Sequence, residues 1–333
     1  MSQKVPVAIA AFLLAVSSAS YAQDPAGAEA LRADAHYPQK TVRIMVGFTP
    51  GGGPDITARH IAQKLSESWK QQVLVENRPG AGGTVAAGLV AKAPPDGYTL
   101  LSVSSAHAVA AAIYPKLPYD TFADLSGVTL TGNSKYVLVA APSAAIGSVR
   151  QLIDTAKAKP GALNFSSAGV GSGTHFAGEI FKSMAGIDVV HVPFKGIPEA
   201  MGETVAGRVH FFMAPIANAV NLVKDGRLTG LGVSSLQRDA LLPDLPSIHE
   251  AGVANYQSIL WFGLLTGAGV PRPILAKLNR DISRILADAD TKSRWSPIGI
   301  EPAPTSPEEF DRVIRNDAAL FAKIARSANI RAD

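Results

Sequence analysis

Short runs of β-branched and aliphatic residues alternate with helix-like segments along most of the chain. The first run, Thr41 to Phe48, stops at a turn rich in glycine and proline, residues 49–55. After this turn Ile61, Leu65 and Trp69 recur every four residues and therefore share one face of a helix. The alternation predicts an α/β protein with mainly parallel strands and crossover helices on both faces of the sheet.

Capping residues and prolines predict where several helices begin and end. Ser148 and Gln151 have the spacing of a capping box, and Pro160-Gly161 ends the helix that they begin. Prolines also mark the start of two helices near the end of the chain, Arg272 to Ala287 and Pro307 to Ser327. The helix from Ser148 to Lys159 has the clearest start and stop signals in the sequence.

Two apolar β-like stretches, Lys135 to Ala141 and Ser258 to Thr266, have no helix pattern beside them. Both lead into turns that contain proline. If they are the two connections between lobes, the first lobe is discontinuous and consists of residues 37–137 and 258–333. The second lobe is then residues 138–257.

The first residues have the pattern of a secretory signal peptide, residues 1–22. Lys4 precedes an apolar run from Val5 to Val16, and small residues follow up to an expected cleavage after Ala22. The run of about 12 residues is shorter than the roughly 20 that span a bilayer as a helix. A retained N-terminal anchor is the alternative. Residues 23–36 are small and polar, which predicts a flexible leader in an exported, soluble protein.

Composition removes several classes of protein. The 333 residues carry a formal net charge of +4, with 47% hydrophobic and 7% aromatic residues, so a sizeable core is available and no nucleic-acid-binding surface is indicated. The chain has no cysteine. Disulfide scaffolds, thiolate metal sites and cysteine nucleophiles are therefore excluded.

Three glycine-rich turns follow predicted strands and precede predicted helices. They are Gly51-Gly52-Gly53, Ser166 to Thr174 and Asn77 to Thr84. Glycine lets backbone N–H groups approach a ligand, and the start of a helix favours an anion. In the first turn Pro54 sets the backbone of the first helical turn, and we expect Asp55 to cap the helix. The alternative is that each turn is simply tight.

Catalytic and cofactor signatures are absent from the sequence. The glycine turns break the dinucleotide fingerprint, no GxxxxGK[ST] segment occurs, and no serine lies in a GxSxG elbow. The seven histidines show no HExxH spacing. We therefore predict no catalytic residue, no metal and no cofactor. His107 and His175 lie at a strand end and a helix start, where each can be a pocket donor or a structural histidine.

Ordered motifs run from Tyr37 to about Ala328. They include Gly47-Phe48-Thr49-Pro50-Gly51-Gly52-Gly53, Val75-Glu76-Asn77-Arg78-Pro79-Gly80-Ala81-Gly82-Gly83, Pro95-Asp96-Gly97-Tyr98-Thr99-Leu100, Leu117-Pro118-Tyr119-Asp120, Gly171-Ser172-Gly173-Thr174-His175, His191-Val192-Pro193-Phe194-Lys195-Gly196, Leu242-Pro243-Asp244-Leu245-Pro246-Ser247 and Trp261-Phe262-Gly263-Leu264. With these motifs the chain resembles the Bug-type, TctC-like periplasmic substrate-binding proteins of tripartite tricarboxylate transporters.

The resemblance implies a two-lobed, type II periplasmic-binding-protein (Venus-flytrap) fold with a mixed, mainly parallel sheet in each lobe. It implies a monomer, not an enzyme, that captures a small organic, amino or aromatic acid between the lobes for uptake through membrane subunits. The ligand-binding residues carried over from the family are Phe48, Thr49, Gly52, Gly53, Asp55, Ser104, Ser105 and His107 in the first lobe, and Ser167, Gly171, Ser172, Thr174, His175, Lys195, Gly196, Met213 and Ala214 in the second.

The sequence departs from the family pattern at two points. Phe194 replaces the usual tyrosine, and Pro198-Glu199 differs from the commoner order. Both changes alter what the far end of a ligand meets. The turn at Asn77 is expected to shape the first lobe rather than to touch the ligand.

Other functions remain open on the sequence alone. A sensory protein that reports to a membrane receptor would have the same fold and pocket. A secreted serine hydrolase would need a histidine within hydrogen-bond reach of Ser104, Ser167 or Ser172. A dinucleotide-dependent enzyme is disfavoured by the broken glycine fingerprint and the export signal.

Overall fold

The computed structural model describes residues 36–331. The predicted signal peptide, residues 1–22, lies outside this part of the chain, and so does the predicted leader apart from His36. Within residues 36–331, no helix has the length and apolar character needed to cross a membrane.

The strands follow the chain from the first predicted run onward. They are β1 (Val42–Val46), β2 (Val73–Asn77), β3 (Thr99–Ser104), β4 (Leu125–Ala140), β5 (Asn164–Ser167), β6 (Val190–Pro193), β7 (Phe211–Pro215), β8 (Thr229–Val233), β9 (Ile259–Gly267) and β10 (Glu301–Pro302).

Helices occupy most of the connections between the strands. They are α1 (Gly53–Trp69), α2 (Thr84–Ala91), α3 (Ala106–Ile113), α4 (Val149–Ala158), α5 (Gly173–Ala185), α6 (Ile197–Val205), α7 (Ile216–Lys224), α8 (Arg272–Ala287), α9 (Ala289–Trp295) and α10 (Pro307–Ser327). Short 3-10 turns at Ala81–Gly83, Pro142–Ala144 and Ser296–Ile298 complete the set.

Hydrogen bonds join the strands in the order β2-β1-β3-β9-β4-β7-β5-β6, and β8 and β10 both pair with β4. The outer pairs β1–β2, β1–β3, β5–β6 and β5–β7 are parallel. The central strands β4 and β9 run antiparallel to their neighbours. The sheet is therefore mixed, with its parallel pairs towards the two outer ends.

The 16-residue strand β4 belongs to both halves of the sheet. Its first part, Leu125 to Lys135, pairs with β9, whereas Tyr136 to Ala140 pairs with β7. Buried Ser234 ties the crossing point together: its Oγ accepts from the Tyr136 N–H at 2.9 Å and donates to the Ser258 carbonyl at 2.6 Å. Both segments that pass between the halves are thus held to one hydroxyl group.

Apolar side chains fill the space between the helices and both faces of each half. In the first half Ile44, Ile61 and Leu278 belong to one buried cluster, and Phe310 belongs to a second cluster on the other face. In the second half Phe165 and Phe212 lie in two corresponding clusters. Each half therefore has its own core, as expected for helices packed on both faces of a sheet.

At the helix that begins after Ser148, the predicted capping box is only half formed. Ser148 Oγ accepts from the Gln151 N–H, but Gln151 Oε1 accepts from the Gly147 N–H, so the expected reciprocal bond goes to the preceding residue. The complete capping box is at α10, where Ser306 and Glu309 bond each other's backbone N–H.

The packing of Gly263 generates a test of the first core. A methyl group on Gly263 would overlap the Phe310 ring, whereas Gly202, inside α6 and exposed, has open space around it. We expect Gly263→Ala to lower the free energy of unfolding by about 1–3 kcal/mol through overpacking. The control Gly202→Ala should raise it by about 0.5–1 kcal/mol because alanine favours the helix. Urea unfolding measures both, and equal stability of the two variants would contradict this account of the core.

Candidate functional site

The first glycine-rich loop connects β1 to α1. Gly52 is the N-cap of α1, with φ −79° and ψ 165°, and the helix begins at Gly53. Pro54 lies in the first turn as expected, but Asp55 does not cap the helix. Asp55 is already the third helical residue, and its carboxylate instead accepts from the Gly51 N–H at 3.0 Å.

Asp55 is the centre of a buried hydrogen-bond network under this loop. Besides Gly51, its carboxylate accepts from Arg59 Nε at 3.0 Å and from Asn77 Nδ2 at 2.8 Å. Burial alone would raise the pKa of Asp55, but these hydrogen bonds outweigh burial and hold the pKa below its usual value. The carboxylate is therefore charged and occupied by its own loop, which is the role of a positioning group.

Asn77 extends the same network to the next loop. Its Nδ2 also donates to the Phe48 carbonyl at 3.0 Å, and its Oδ1 accepts from Arg59 at 2.8 Å. These contacts join the end of β2 to the β1–α1 loop. They are the contacts of a residue that shapes the loop.

The second glycine-rich loop connects β5 to α5 in the other half of the sheet. Ser172 is the N-cap of α5 and accepts from the His175 N–H at 3.2 Å. Thr174 Oγ1 accepts from the Ala168 N–H at 2.9 Å and bonds Ser172 Oγ at 2.9 Å. The Gly171 N–H donates to His175 Nδ1 at 3.3 Å. The predicted hydroxyl groups thus hold the loop in shape.

Two histidines stack behind this loop. The rings of His175 and His191 lie 3.8 Å apart between centroids, and the His191 ring also stacks on Phe165. Burial lowers the pKa of His175 to about 3 and that of His191 to about 4, with a further lowering from nearby Lys182. Burial also raises the pKa of Glu179, whose Oε1 lies 3.9 Å from His175 Nε2. The cluster therefore holds neutral rings near neutral pH.

One requirement of the hydrolase alternative is met, since Ser167 Oγ lies 2.6 Å from His191 Nε2. Ser167 is completely buried, however, and its hydroxyl also bonds the carbonyl and the N–H of Gly169. A general base works best with a pKa near the operating pH, and that of His191 is about 4. The geometry favours a structural hydrogen bond over a nucleophile.

The two loops meet through β3 and the crossing strand β4. Ser102 Oγ donates to the Pro54 carbonyl at 2.9 Å, which ties β3 to the start of α1. Ser105, the residue after β3, lies next to the start of α5. A methyl group on Gly173 would be 3.3 Å from Ser105 Oγ and 2.5 Å from Tyr136 Oη. The structure therefore places the predicted residue Ser105 beside Gly173, in the second glycine-rich turn. Tyr136 is a missed member of this group.

Several backbone N–H groups at the starts of the two helices are unpaired. Within residues 36–331, the N–H groups of Gly52 and Gly53 at α1 and of Gly173 and Thr174 at α5 donate to no protein acceptor. A methyl group on Gly53 would overlap the Phe262 ring, so that face is covered. One on Gly52 would have no neighbour closer than 3.8 Å, so this side of the loop is open.

The remaining predicted residues have three different surroundings. Phe48, Ser104 and His107 line one small cavity, and Thr49 is exposed. Lys195 and Gly196 lie at the start of α6, where the exposed Lys195 donates its N–H to Glu199 Oε2 at 3.0 Å. The side chains of Met213 and Ala214 are completely buried in the cores. In this structure neither residue exposes surface that a ligand could contact.

The described residues offer no ready metal site. Nowhere in residues 36–331 do three or more histidine, aspartate or glutamate side chains cluster in a way that could hold a metal ion. Apart from the Asp55 carboxylate, which the first loop itself satisfies, the polar groups at the two glycine-rich loops include hydroxyls and backbone amides, which suit hydrogen bonding to an organic anion.

Comparison with known sequences identifies relatives of the whole folded region. The profile of the TctC family, described as the tripartite tricarboxylate transporter family receptor, matches residues 57–330. Protein BugT of Bordetella pertussis is 30% identical over 297 residues, which cover 89% of this chain and 91% of BugT. The resemblance stated from the motifs is confirmed.

Two solved structures have the same fold over nearly their whole length. Rpa4515 of R. palustris, solved with adipate, has a TM-score of 0.83 at 32% identity and covers 89% of this chain and 99% of its own. MatC from Rhodopseudomonas palustris, with bound malate, has a TM-score of 0.79 at 31% identity. The match covers 86% of this chain and 99% of MatC. The two-lobed periplasmic-binding-protein fold is thereby confirmed.

The Asp55 network predicts a stability that depends on charge. We expect Asp55→Ala to lower the free energy of unfolding by about 1–3 kcal/mol at neutral pH because three donors of the loop lose their charged acceptor. Since the pKa of Asp55 is lowered in the folded state, this contribution is present above the carboxyl's ordinary pKa and disappears as the pH falls through the folded-state value.

An exposed Arg–Asp pair provides the control for Asp55. Asp154 also pairs with an arginine four residues away, Arg150, but their side chains are 58% and 80% exposed. Asp154→Ala should change the free energy of unfolding by less than about 1 kcal/mol. Urea unfolding at several pH values compares the variants, and a loss at Asp55 no larger than at Asp154 would contradict a positioning role.

The buried histidines predict a loss of stability on mild acidification. Their folded-state pKa values are below the ordinary 6.5, so between about pH 6.5 and 4 the unfolded chain binds protons that the folded chain does not. Stability should therefore fall as the pH drops through this range. We expect His191→Phe to reduce the loss between pH 7 and 5 by about 1–2 kcal/mol.

Ser167→Ala is the control for this pH experiment because it removes the hydroxyl beside His191 but leaves the titrating ring. It should retain the wild-type dependence of unfolding free energy on pH. If His191→Phe and the wild type lose the same stability between pH 7 and 5, the ring of His191 is not kept neutral by the fold.

Proposed function

The chain belongs to the TctC family of tripartite tricarboxylate transporter receptors, and we propose that it captures a small carboxylated organic molecule between its two lobes. Members of the family are periplasmic solute-binding proteins. Rpa4515 and MatC, each about a third identical in sequence to this chain, were solved with adipate and malate, both small carboxylates. The proposed chemistry is reversible binding without turnover.

The observation that carries the proposal is the set of unpaired N–H groups at the starts of α1 and α5, one helix from each half of the sheet. The first N–H groups of a helix have no acceptor within it and lie at its positive end. Burying a carboxylate is costly unless it is hydrogen-bonded, and each charge-assisted bond contributes about 1.5–3 kcal/mol. Two or three such bonds, together with one from the Ser105 hydroxyl, offset the cost of removing the carboxylate from water.

Closure of the lobes on the ligand follows from the same arrangement. We place the lobes at residues 37–137 with 258–333 and at residues 138–257, so that β4 and the start of β9 are the connections. A ligand that reaches α1 and α5 together does so only when the lobes are close. This difference in contacts shifts the population towards the closed state.

Delivery to membrane subunits is the role we propose after capture, with the protein acting as an exported monomer whose signal peptide is removed. A sensor that reports to a membrane receptor would use the same site. The two roles differ when the gene is deleted: loss of ligand uptake supports transport, and loss of only a transcriptional response supports sensing.

The experiment that tests capture is a binding screen with a variant of the open loop. Mono-, di- and tricarboxylates, aromatic acids and amino acids are tested for a rise in melting temperature that increases with concentration. The backbone of Gly52 has an extended conformation that any residue can adopt. A methyl group added there would have no neighbour closer than 3.8 Å. Gly52→Val should fold normally and bind at least about tenfold more weakly, a change of about 1.4 kcal/mol.

Gly202→Ala, in α6, is the matched control and should bind as the wild type does. If no carboxylate raises the melting temperature of the wild-type protein, capture of an acid is wrong. If a carboxylate binds the wild type and Gly52→Val equally, the acid is bound elsewhere on the molecule.

A further inference from the structure

A small cavity lies beside the β1–α1 loop in the first lobe. It lies between this loop, the start of α2 and helix α3. Its lining includes Phe48, Gly83, Thr84, Ser104, His107 and Tyr119. Phe48 and Ser104 belong to the predicted ligand site, so the cavity adjoins that site; we call it the side pocket.

Two residues that line the side pocket each carry a buried polar atom without a hydrogen-bond partner. His107 is 5% exposed and Tyr119 is 7% exposed, and within the described structure neither His107 Nε2 nor Tyr119 Oη meets a donor or an acceptor. A buried polar atom without a partner costs about 1–3 kcal/mol, and such atoms are rare in folded proteins. Two of them in one cavity indicate that an oxygen or nitrogen from outside the chain bonds there.

The chemistry of the lining defines which group fits. None of the residues that line the side pocket is an aspartate, glutamate, lysine or arginine. Burial lowers the pKa of His107 to about 4 and raises that of Tyr119, so both groups are uncharged near neutral pH. A charged carboxylate would therefore find no opposite charge in the pocket, and its burial would be costly.

The size of the side pocket also favours a small uncharged group. The side pocket is about as large as one water molecule, so it accommodates a single oxygen atom rather than a whole carboxylate. A hydroxyl group is both donor and acceptor and can bond the phenol and the imidazole together. Gly83 and Phe48 are neighbours in the pocket wall: a methyl group on Gly83 would lie 3.4 Å from the Phe48 ring.

We propose that the side pocket binds a neutral hydroxyl group of the captured acid, and that His107 and Tyr119 make the protein prefer hydroxylated acids to their plain counterparts. The inference rests on the proposed capture of a carboxylate and specifies its ligand class further. The unpaired amides at α1 and α5 hold the carboxylate, while His107 and Tyr119 recognise the oxygen.

Calorimetric titration with matched acids tests the inference. The probes are pairs that differ by one hydroxyl group: propionate and lactate, succinate and malate, benzoate and 2-hydroxybenzoate. The wild type should bind the hydroxylated member of at least one pair about tenfold or more tightly than the plain member. Tyr119→Phe and His107→Phe should each reduce this ratio towards one.

Tyr114→Phe is the matched control because Tyr114 follows α3 but does not line the side pocket. It should retain the wild-type ratio. Tyr119→Phe removes only an unpaired hydroxyl, so its melting temperature should not fall, which keeps the test usable if His107→Phe does not fold.

Each other outcome overturns the inference in a distinct way. If plain and hydroxylated acids bind the wild type equally, or if Tyr119→Phe keeps the ratio, the side pocket does not recognise the hydroxyl and carboxylate capture stands. A crystal structure of the complex with one water on His107 and Tyr119 identifies a structural water instead. If none of the six acids binds, the inference and the capture of such acids fail together.

Discussion

The first N–H groups of a helix have no acceptor within that helix, and the proposed site depends on this constraint. Two helices, α1 and α5, direct such groups from opposite halves of one sheet. Asp55 leaves the N–H groups of α1 free to bind an anion, because its own carboxylate accepts hydrogen bonds from Gly51, Arg59 and Asn77. A carboxylate in this position that lacked these donors would repel an anion, whereas the satisfied one only holds the loop in place.

The connection between the halves is as important as the loops. Strand β4 changes partners at Tyr136, and Ser234 bonds both crossing segments. The connection that we propose as the hinge therefore lies beside Gly173, since a methyl group there would be 2.5 Å from Tyr136 Oη. In the proposed function, binding and closure are therefore linked, because a ligand between α1 and α5 would contact both lobes beside the strands that join them.

The sequence predicted some residues of the candidate site and missed others. His107 was expected because it follows a strand end, but Tyr119 lies in a loop after α3 and reaches the same cavity only through folding. Tyr136 resembled an ordinary apolar strand residue, and its place beside Gly173 depends on how the lobes pack. Met213 and Ala214 lie at a strand end, yet their side chains face the cores, which a motif does not reveal.

The sequence by itself determined the α/β alternation, the two long C-terminal helices, the glycine turns and, through their order, the family. It did not reveal the first part of β4 or helix α3. Gly127 and Gly132 in β4 are needed because Asp311 and Ile300, respectively, pack against their backbone, a reason that exists only in the folded chain. Alanine-rich α3 is buried and shows no polar face. Periodicity reports a boundary between core and water, so tertiary structure alone decided the elements and side chains for which no such boundary exists.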